Sequence, residues 1–242
     1  MTTTTVADPT SLRELVIANR ILADQDVVDA FGHVSIRHPE AAGEYVISRS
    51  LGPELVTEAD LQRFTLVGQQ VGGDGRPAYA ERAIHGAVYE ARPEVMAVCH
   101  NHAPSVIPFT VTGVPLRPIF HMAAPIGAEI PVWDIADEFG DTDMLVRTME
   151  QGRSLARTLG PKRVALMRGH GCVVAGRTLR EVVMTCVYLE RNARLQLQAM
   201  PLGEVRYLSP GEVERTTSNL LDSLSSERAW NTWKARAGFP DG

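Results

Sequence analysis

A run of apolar residues with high β-propensity ends in two histidines separated by one residue, and it constrains the fold more than any other stretch of the chain. The run extends from Val95 to His102 and predicts a buried strand. Because alternate side chains of a strand point to the same face, His100 and His102 share a face about 6.5 Å apart along the chain. Cys99 and Asn101 fall on the opposite face. The spacing is typical of metal ligands, although two surface histidines at a strand end would show it as well.

A third histidine lies between two further predicted strands, residues 163–167 and 172–175, and has glycine on both sides. Glycine lets the backbone turn sharply and approach a ligand closely, so His170 sits where a ligand-binding turn is expected. The alternative is a hairpin turn with an incidental histidine. Taken with the first two, His170 completes three imidazoles, the ligand number of an open catalytic metal site that leaves a position for water or substrate.

The charge of the chain limits its partners. The formal net charge is −5, and the basic residues are scattered. A nucleic acid or an anionic membrane surface needs a basic patch, so neither is expected as a partner. No apolar stretch reaches the ~20 residues that span a bilayer.

Size and cysteine content predict one cytoplasmic domain. The 242 residues fit a single α/β domain over 1–242, with a core at about 12–200 and a C-terminal helix and tail at 201–242. Residues 1–10 are predicted to be a frayed tail that has no signal-peptide pattern. The three cysteines lie in apolar segments without paired spacing, which favours a reduced, cytoplasmic protein.

Periodicity and turn residues predict the remaining elements. Trp230 and Trp233 fall in a tail that could dock on a neighbouring subunit. The other predictions are a first helix from about Leu12 to Ala23, a hairpin of Phe31–Arg37 and Tyr45–Arg49, a helical turn at Thr57–Asp60, a strand at Phe64–Val67, and helices at Tyr79–Arg92, Ala103–Thr110, Thr142–Leu159, Leu179–Ala199 and from Ser209 onward.

Two further positions are candidates for chemistry. Glu81 and His85 are four residues apart on the predicted helix Tyr79–Arg92 and share a face. This pair either forms a surface hydrogen bond or directs the Glu81 carboxylate at the metal as a ligand or base. His121 lies in an irregular, proline-marked region, which is a lid, a subunit contact or simply a loop.

Four motifs in register resemble the class II aldolase/adducin superfamily over about residues 12–200. They are Gly32-His33-Val34-Ser35-Ile36-Arg37, the Glu81 to His85 pair, His100-Asn101-His102 and Arg168-Gly169-His170-Gly171. The resemblance implies a three-layer α/β/α fold with a mostly antiparallel central sheet. It also implies a fourfold-symmetric homotetramer with its sites at subunit interfaces. A divalent metal would be held by His100, His102 and His170, with Glu81 as a further ligand or as acid/base.

The chain departs from the sugar-phosphate members of that superfamily where they cradle phosphate. The corresponding positions here are Gly32-His33, Ser50-Leu51 and Tyr79-Ala80. Leu51 and Tyr79 add apolar bulk where a phosphate needs donors, so the expected substrate has no phosphate. Arg49 and Ser50 suit a carboxylate instead, and His33 is a candidate for orienting the substrate.

This pattern looks most like the decarboxylase branch, whose members act on aromatic hydroxy acids such as pyridine dicarboxylates and dihydroxyphthalates. We therefore expect a metal-dependent decarboxylase in which Glu81 or His121 delivers the proton. A nearby cation lowers the pKa of a carboxyl group, which makes His121 the better donor. The ligand types do not choose among Zn, Mn, Co and Fe. Alternatives are an aldolase for an unphosphorylated 2-keto acid, a non-catalytic adducin-like scaffold and an iron oxygenase.

Overall fold

The computed structural model describes residues 9–73, 75–221 and 224–240, so most of the predicted frayed tail lies outside the described residues. An eight-stranded sheet forms its centre, in the order β4-β3-β2-β1-β5-β8-β7-β6. Among the described strands only β6 and β7 pair in parallel. The strands are β1 (His33–Arg37), β2 (Glu44–Ser48), β3 (Leu61–Thr65), β4 (Gln70–Val71), β5 (Ala97–Asn101), β6 (Val132–Trp133), β7 (Val164–Met167) and β8 (Gly171–Gly176).

Helices cover both faces of this sheet. None of those in the described residues is long and apolar enough to cross a bilayer. The α-helices are α1 (Pro9–Asp24), α2 (Arg82–Ala91), α3 (Ile107–Val111), α4 (Ile135–Phe139), α5 (Met149–Leu159), α6 (Leu179–Ala199), α7 (Pro210–Leu221) and α8 (Leu224–Arg236). Short 3₁₀ segments occupy Pro53–Leu55, Glu58–Asp60, His121–Ile126 and Met200–Leu202.

Strand alternation separates the protein into two apolar layers. In β5, Ala97 and Cys99 point into the layer formed with α1, α6 and α8. Val98 points into the other layer, which is formed with α2 and α5. His100 follows Val98 by two residues and therefore shares its face. The sheet thus directs this histidine towards α2, as the strand pattern predicts.

Most predicted elements are present with shifted ends, and α6 has the predicted bounds. The helix predicted from Thr142 is wrong in its first half, because α5 begins only at Met149. Thr148 caps α5, its side chain accepting from the Gln151 backbone N–H while the Gln151 side chain bonds back. This reciprocal cap fixes the helix start and leaves residues 142–147 free to reach the site.

The two tryptophans of the tail that could dock on a neighbouring subunit pack within their own chain instead. Trp230 and Trp233 lie in α8 and are only 3% and 6% exposed. They pack within the chain, because α8 lies against α1 and α6. Arg180 and Arg191 of α6 stack over the two indole rings. The tail is thus part of the core layer on that face.

A glycine lets α2 and α5 approach closely. At Gly152 of α5, a Cβ atom would lie 2.6 Å from the Ala83 carbonyl oxygen of α2 and 3.0 Å from the Ala87 Cβ. Real Cβ atoms do not come this near to backbone atoms, so the distance between the helices depends on glycine. This contact also sets the position of the residue that precedes α2, Glu81.

We predict that Gly152→Ala lowers the free energy of unfolding by about 1–3 kcal/mol, because the added methyl overpacks the contact between α2 and α5. Alanine is otherwise the better helix former, so Gly211→Ala is a matched control. Gly211 lies in α7 with open space around it, and its replacement should raise stability by up to about 1 kcal/mol. Urea unfolding of both variants measures the difference. Equal effects of the two changes would contradict the close contact.

Candidate metal centre

Four side chains from separate parts of the chain converge at one end of the sheet. His100 lies in β5 and His102 just after it, whereas His170 occupies the turn between β7 and β8. Glu81 is the N-cap residue of α2. One ligand atom from each lies within 4.8 Å of the others. The structure therefore brings together the three predicted histidines and the predicted carboxylate.

The geometry of these atoms fits a divalent cation. His100 Nε2 lies 3.0 Å from His102 Nε2, and Glu81 Oε2 lies 3.6 Å from the Nε2 atoms of both His100 and His170. These four ligand atoms are all potential acceptors, and when they lie this close together most of their lone pairs face one another and not a hydrogen-bond donor. A cation among them would satisfy all four, and imidazole nitrogen with one carboxylate oxygen suits Zn, Mn, Co or Fe.

Hydrogen bonds outside the cluster orient two of the ligands. His100 Nδ1 lies 3.0 Å from the Cys172 carbonyl, which can only accept, so a neutral His100 has its lone pair on Nε2. Glu81 Oε1 accepts from the Val146 backbone N–H at 2.9 Å, which leaves Oε2 for the metal. These contacts select one atom of each side chain, as expected of a preformed site.

Charge and burial shift the pKa values of two of the ligands, His102 and Glu81. Burial and the nearby His100 lower the pKa of His102 to about 4, so its imidazole is neutral near pH 7. Burial alone would raise the pKa of Glu81, but hydrogen bonds and charges of His100 and His170 lower it well below its usual range. Glu81 is therefore a carboxylate, which favours a role as ligand or base over a role as acid.

Gly171 permits the approach of β8 to β5 beside the ligands. A Cβ atom at this position would lie 2.2 Å from the Asn101 carbonyl oxygen and 3.1 Å from His102 Cδ2. A side chain here would push the two strands apart and displace His102. The glycine after His170 thus allows the close backbone approach that the sequence pattern predicts.

A cavity of about 480 Å³ opens beside the cluster. Its walls include two of the ligands and a set of apolar residues. The lining consists of Ala30, Phe31, Gly32, His33, Ser50, Leu51, Gly52, Tyr79, Ala80, Glu81, His102 and Leu145. His33 and Ser50, both predicted to contact substrate, therefore lie in the cavity. Leu51 and Tyr79 line it where the sugar-phosphate pattern would require donors.

Two other predicted site residues lie elsewhere in the chain. Arg49 does not line the cavity, and its Nε donates to Asp60 Oδ1 at 2.7 Å. His121 is exposed and lines a different cavity, together with Tyr188 and Trp233. Within one chain, the structure therefore brings neither side chain to the metal ligands.

Sequence reasoning missed a buried hydrogen-bonded group behind the cavity. His85 Nε2 lies 2.6 Å from His33 Nδ1, and His85 Nδ1 lies 2.6 Å from Ser35 Oγ. The Ser35 hydroxyl also bonds to Tyr89. Burial lowers the pKa of His85 to about 3, so its ring is neutral. The signal was present in the i, i+2 spacing of His33 and Ser35 and the i, i+4 spacing of His85 and Tyr89.

Comparisons with known proteins agree with this architecture. Residues 13–197 match the family model described as the Class II Aldolase and Adducin N-terminal domain. Over 92% of each chain, the protein is 33% identical to decarboxylase tropJ of Talaromyces stipitatus. It is 28% identical to a 3,4-dihydroxyphthalate decarboxylase of Terrabacter sp., over 93% of this chain and 97% of that relative.

A solved structure has the same fold. An aldolase II superfamily protein from Pseudomonas syringae superposes with a TM-score of 0.78, covering 96% of this chain and 94% of the other at 20% identity. The expected three-layer α/β fold with a mostly antiparallel sheet is confirmed by this likeness and by the strand order.

We predict that His100→Ala and His170→Ala each weaken zinc binding by more than about 100-fold, since even the loss of an outer-shell partner costs 10–100-fold. Titration of metal-free protein with zinc measures the affinity, and the rise in melting temperature on zinc addition provides a second readout. His38→Ala is the control, because this histidine follows the far end of β1 and is not one of the four clustered residues. Unchanged zinc affinity in either ligand variant would contradict the assignment.

We also predict that the metal-free protein loses stability as the pH falls below about 6.5. The unfolded chain binds a proton at His85 with an ordinary pKa near 6.5, whereas the folded chain does so only at about 3. Between these values the unfolded state holds the extra proton, so stability falls with pH by up to about 1.4 kcal/mol per unit for each such group. Urea unfolding from pH 7.5 to 5 in the presence of a chelator measures this slope.

His85→Gln should lower the slope of the unfolding free energy against pH by the contribution of one proton. Glu81 in the unfolded state has an ordinary pKa of about 4.3, so between pH 7.5 and about 5.5 its contribution to the slope is small. An unfolding free energy that stays constant over the range would show that the buried imidazoles take up protons in the folded state.

Proposed function

The chain belongs to the class II aldolase and adducin family, and on that premise we propose that it is a divalent-metal-dependent decarboxylase of a non-phosphorylated aromatic hydroxy carboxylic acid. The observation that carries the proposal is the composition of the cavity walls. Glu81 and His102 contribute polar groups to the lining, whereas Phe31, Leu51 and Leu145 contribute apolar surface. A flat ring that carries its anionic groups on one side fits such a cavity.

The curated relatives support this reaction class. Those at 33% and 28% identity are named as decarboxylases, and one of these names specifies a dihydroxyphthalate. Decarboxylases and aldolases are both carbon–carbon lyases, so a lyase role follows from the family, and the aromatic acid is the finer part of the proposal. The bulk of Leu51 and Tyr79 in the cavity supports a substrate without a phosphate.

His100, His102, His170 and Glu81 would hold the metal ion through Nε2 and Oε2 atoms. A bound divalent cation supplies a Lewis acid that stabilises the negative charge left on the ring carbon, which is worth several kcal/mol. The apolar residues exclude water from the ring, and this strengthens the electrostatic interactions around it. Ser50 and His33, which also line the cavity, offer polar groups to the substrate.

The proton that replaces carbon dioxide needs a donor other than Glu81, whose pKa lies well below its usual range. His121 is the proposed donor. Because it lies outside the cavity of its own chain, it would act on the site of a neighbouring subunit. This requires the homotetramer with interfacial sites that the family resemblance implies. Phe31, which lines the cavity and is 67% exposed, supports a protein contact at the cavity mouth.

Arg49 has a less direct role in the proposal. Its Nε donates to Asp60, and the Asp60 side chain also accepts from Thr57. This arrangement holds the backbone next to Ser50 at the cavity edge. Arg49 would therefore bind a substrate carboxylate only with the guanidinium nitrogens that Asp60 leaves available.

We predict that zinc- or manganese-loaded protein releases carbon dioxide from aromatic acids with a hydroxyl ortho to the carboxylate, without any aldehyde product. The isomer with a meta hydroxyl is the matched substrate, because it cannot chelate and should react about 100-fold more slowly. Carbon dioxide is measured directly, and metal-free protein and His170→Ala serve as inactive controls.

Other outcomes would identify the alternatives. Pyruvate and an aldehyde formed from an unphosphorylated hydroxy-keto acid would replace the decarboxylase with an aldolase. Absence of both activities, together with a melting temperature that does not respond to divalent metal, would favour a non-catalytic scaffold of the adducin type.

A further inference from the structure

A chain of hydrogen bonds connects the cavity wall with the protein interior. His33 lines the cavity and bonds through Nδ1 to His85, which bonds to Ser35 and through it to the Tyr89 hydroxyl. The three distances are 2.6, 2.6 and 2.8 Å. All four side chains are buried, and the bond to His85 leaves Nε2 of His33 for a molecule in the cavity. The direction in which these bonds run decides what that nitrogen offers.

Tyr89, at the interior end of this chain of hydrogen bonds, fixes the direction in which they run. Among the described residues, the one hydrogen-bond partner recorded for the Tyr89 hydroxyl is Ser35, so Ser35 is the acceptor available to the phenol proton. If Ser35 donated to Tyr89, the phenol proton would be buried without an acceptor, at a cost of about 1–3 kcal/mol. Tyr89 therefore donates to Ser35, and the Ser35 hydroxyl donates to His85 Nδ1.

The same direction continues through both rings. A neutral imidazole carries one proton, so a ring that accepts at Nδ1 must donate at Nε2. His85 accepts from Ser35 at Nδ1 and thus donates from Nε2 to His33 Nδ1. His33 then carries its own proton on Nε2, on the side of the cavity. In this arrangement each proton between Tyr89 and His33 Nδ1 has an acceptor, whereas the reversed arrangement leaves the Tyr89 proton without one.

The chain of hydrogen bonds ends at the buried Tyr89, so it cannot serve as a proton wire. Passing a proton outward from His33 would take one proton from each link and leave a phenolate at Tyr89. Burial raises the pKa of Tyr89 far above its ordinary value, so that anion is strongly disfavoured. His33 can therefore offer a hydrogen bond but is not the source of the proton that ends on carbon.

We propose that Tyr89, Ser35 and His85 are positioning residues that hold His33 as a permanent Nε2–H donor, and that this donor binds an anionic substrate oxygen that keeps its charge through the reaction. That oxygen belongs to the ring hydroxyl or to a carboxylate that is not lost. The proposal rests on the proposed function for the identity of the ligand, but the direction of the hydrogen bonds does not depend on it. Tyr79 packs against the His33 ring at 4.4 Å between centroids and keeps it in place.

Nitrogen-15 NMR of zinc-loaded protein with labelled histidine tests the direction without any turnover. We expect both His33 and His85 in the Nε2–H form, with Nδ1 resonances typical of an acceptor. His33→Leu and His85→Gln assign the signals by their loss. An Nδ1–H form of either ring would overturn the proposal.

Two hydroxyl-deletion variants test the positioning role. Ser35→Ala removes the donor to His85 Nδ1 and leaves both neutral forms of His85 accessible, whereas Tyr45→Phe removes a buried hydroxyl whose one hydrogen bond recorded in the described part of the chain is to the Arg82 carbonyl. Tyr45 also packs against the His85 ring, so it is a control for packing. For 2-hydroxybenzoate, we expect about threefold to tenfold weaker binding in Ser35→Ala and no change in Tyr45→Phe. Equal affinities of the two variants would overturn the proposal.

The same measurements separate this proposal from the proposed function. Zinc-loaded protein that releases no carbon dioxide, but has His33 in the Nε2–H form and binds 2-hydroxybenzoate more weakly in Ser35→Ala than in Tyr45→Phe, would refute the decarboxylase and leave the proposed donor intact. Carbon dioxide release with His33 in the Nδ1–H form would support the decarboxylase and refute the proposed donor. His33→Leu should raise the KM for a true substrate more than it lowers kcat, because the bond exists before and during the reaction.

Discussion

The structure depends on holding four electron-rich atoms close together in a largely buried place. Lone pairs of three imidazoles and a carboxylate repel each other, and water does not screen them well at this depth. The fold keeps them together by distributing the ligands over β5, the turn before β8 and the start of α2, each of which is fixed by its own backbone. A bound cation would turn this repulsion into attraction, so folding and metal binding should be coupled.

The close spacing of the ligand atoms depends on close backbone contacts elsewhere in the chain. Gly171 lets β8 approach β5, and Gly152 lets α5 approach the helix that follows Glu81. Val146, in the segment before α5, donates to the Glu81 carboxylate. The elements around the site are therefore positioned by small residues and main-chain hydrogen bonds, which leave the ligand side chains free for the metal.

Local patterns in the sequence predicted the parts of this arrangement that local rules govern. The alternation in β5 gave the face of His100, and the glycines around His170 gave its turn. The start of α5 also has a local signature that the prediction from Thr142 missed. Thr148 and Gln151 have the spacing of a capping box, whereas Thr142 is followed at that spacing by Leu145. Arg49 was assigned to substrate from its charge alone, whereas in the structure Asp60 takes up one of its nitrogens. Long-range partners of this kind have no signature in a single sequence.

The pairing of His33 with His100 shows how one sheet produces two opposite chemical functions from the same side chain. The two residues are register partners on adjacent strands, and their rings lie 5.2 Å apart. The Cys172 carbonyl can only accept at Nδ1 of His100, which leaves a lone pair at its Nε2. In the proposed direction, His85 donates to Nδ1 of His33, which leaves a proton at His33 Nε2. Each ring is therefore assigned by the group behind it, so that a cation and an anionic oxygen can be bound side by side.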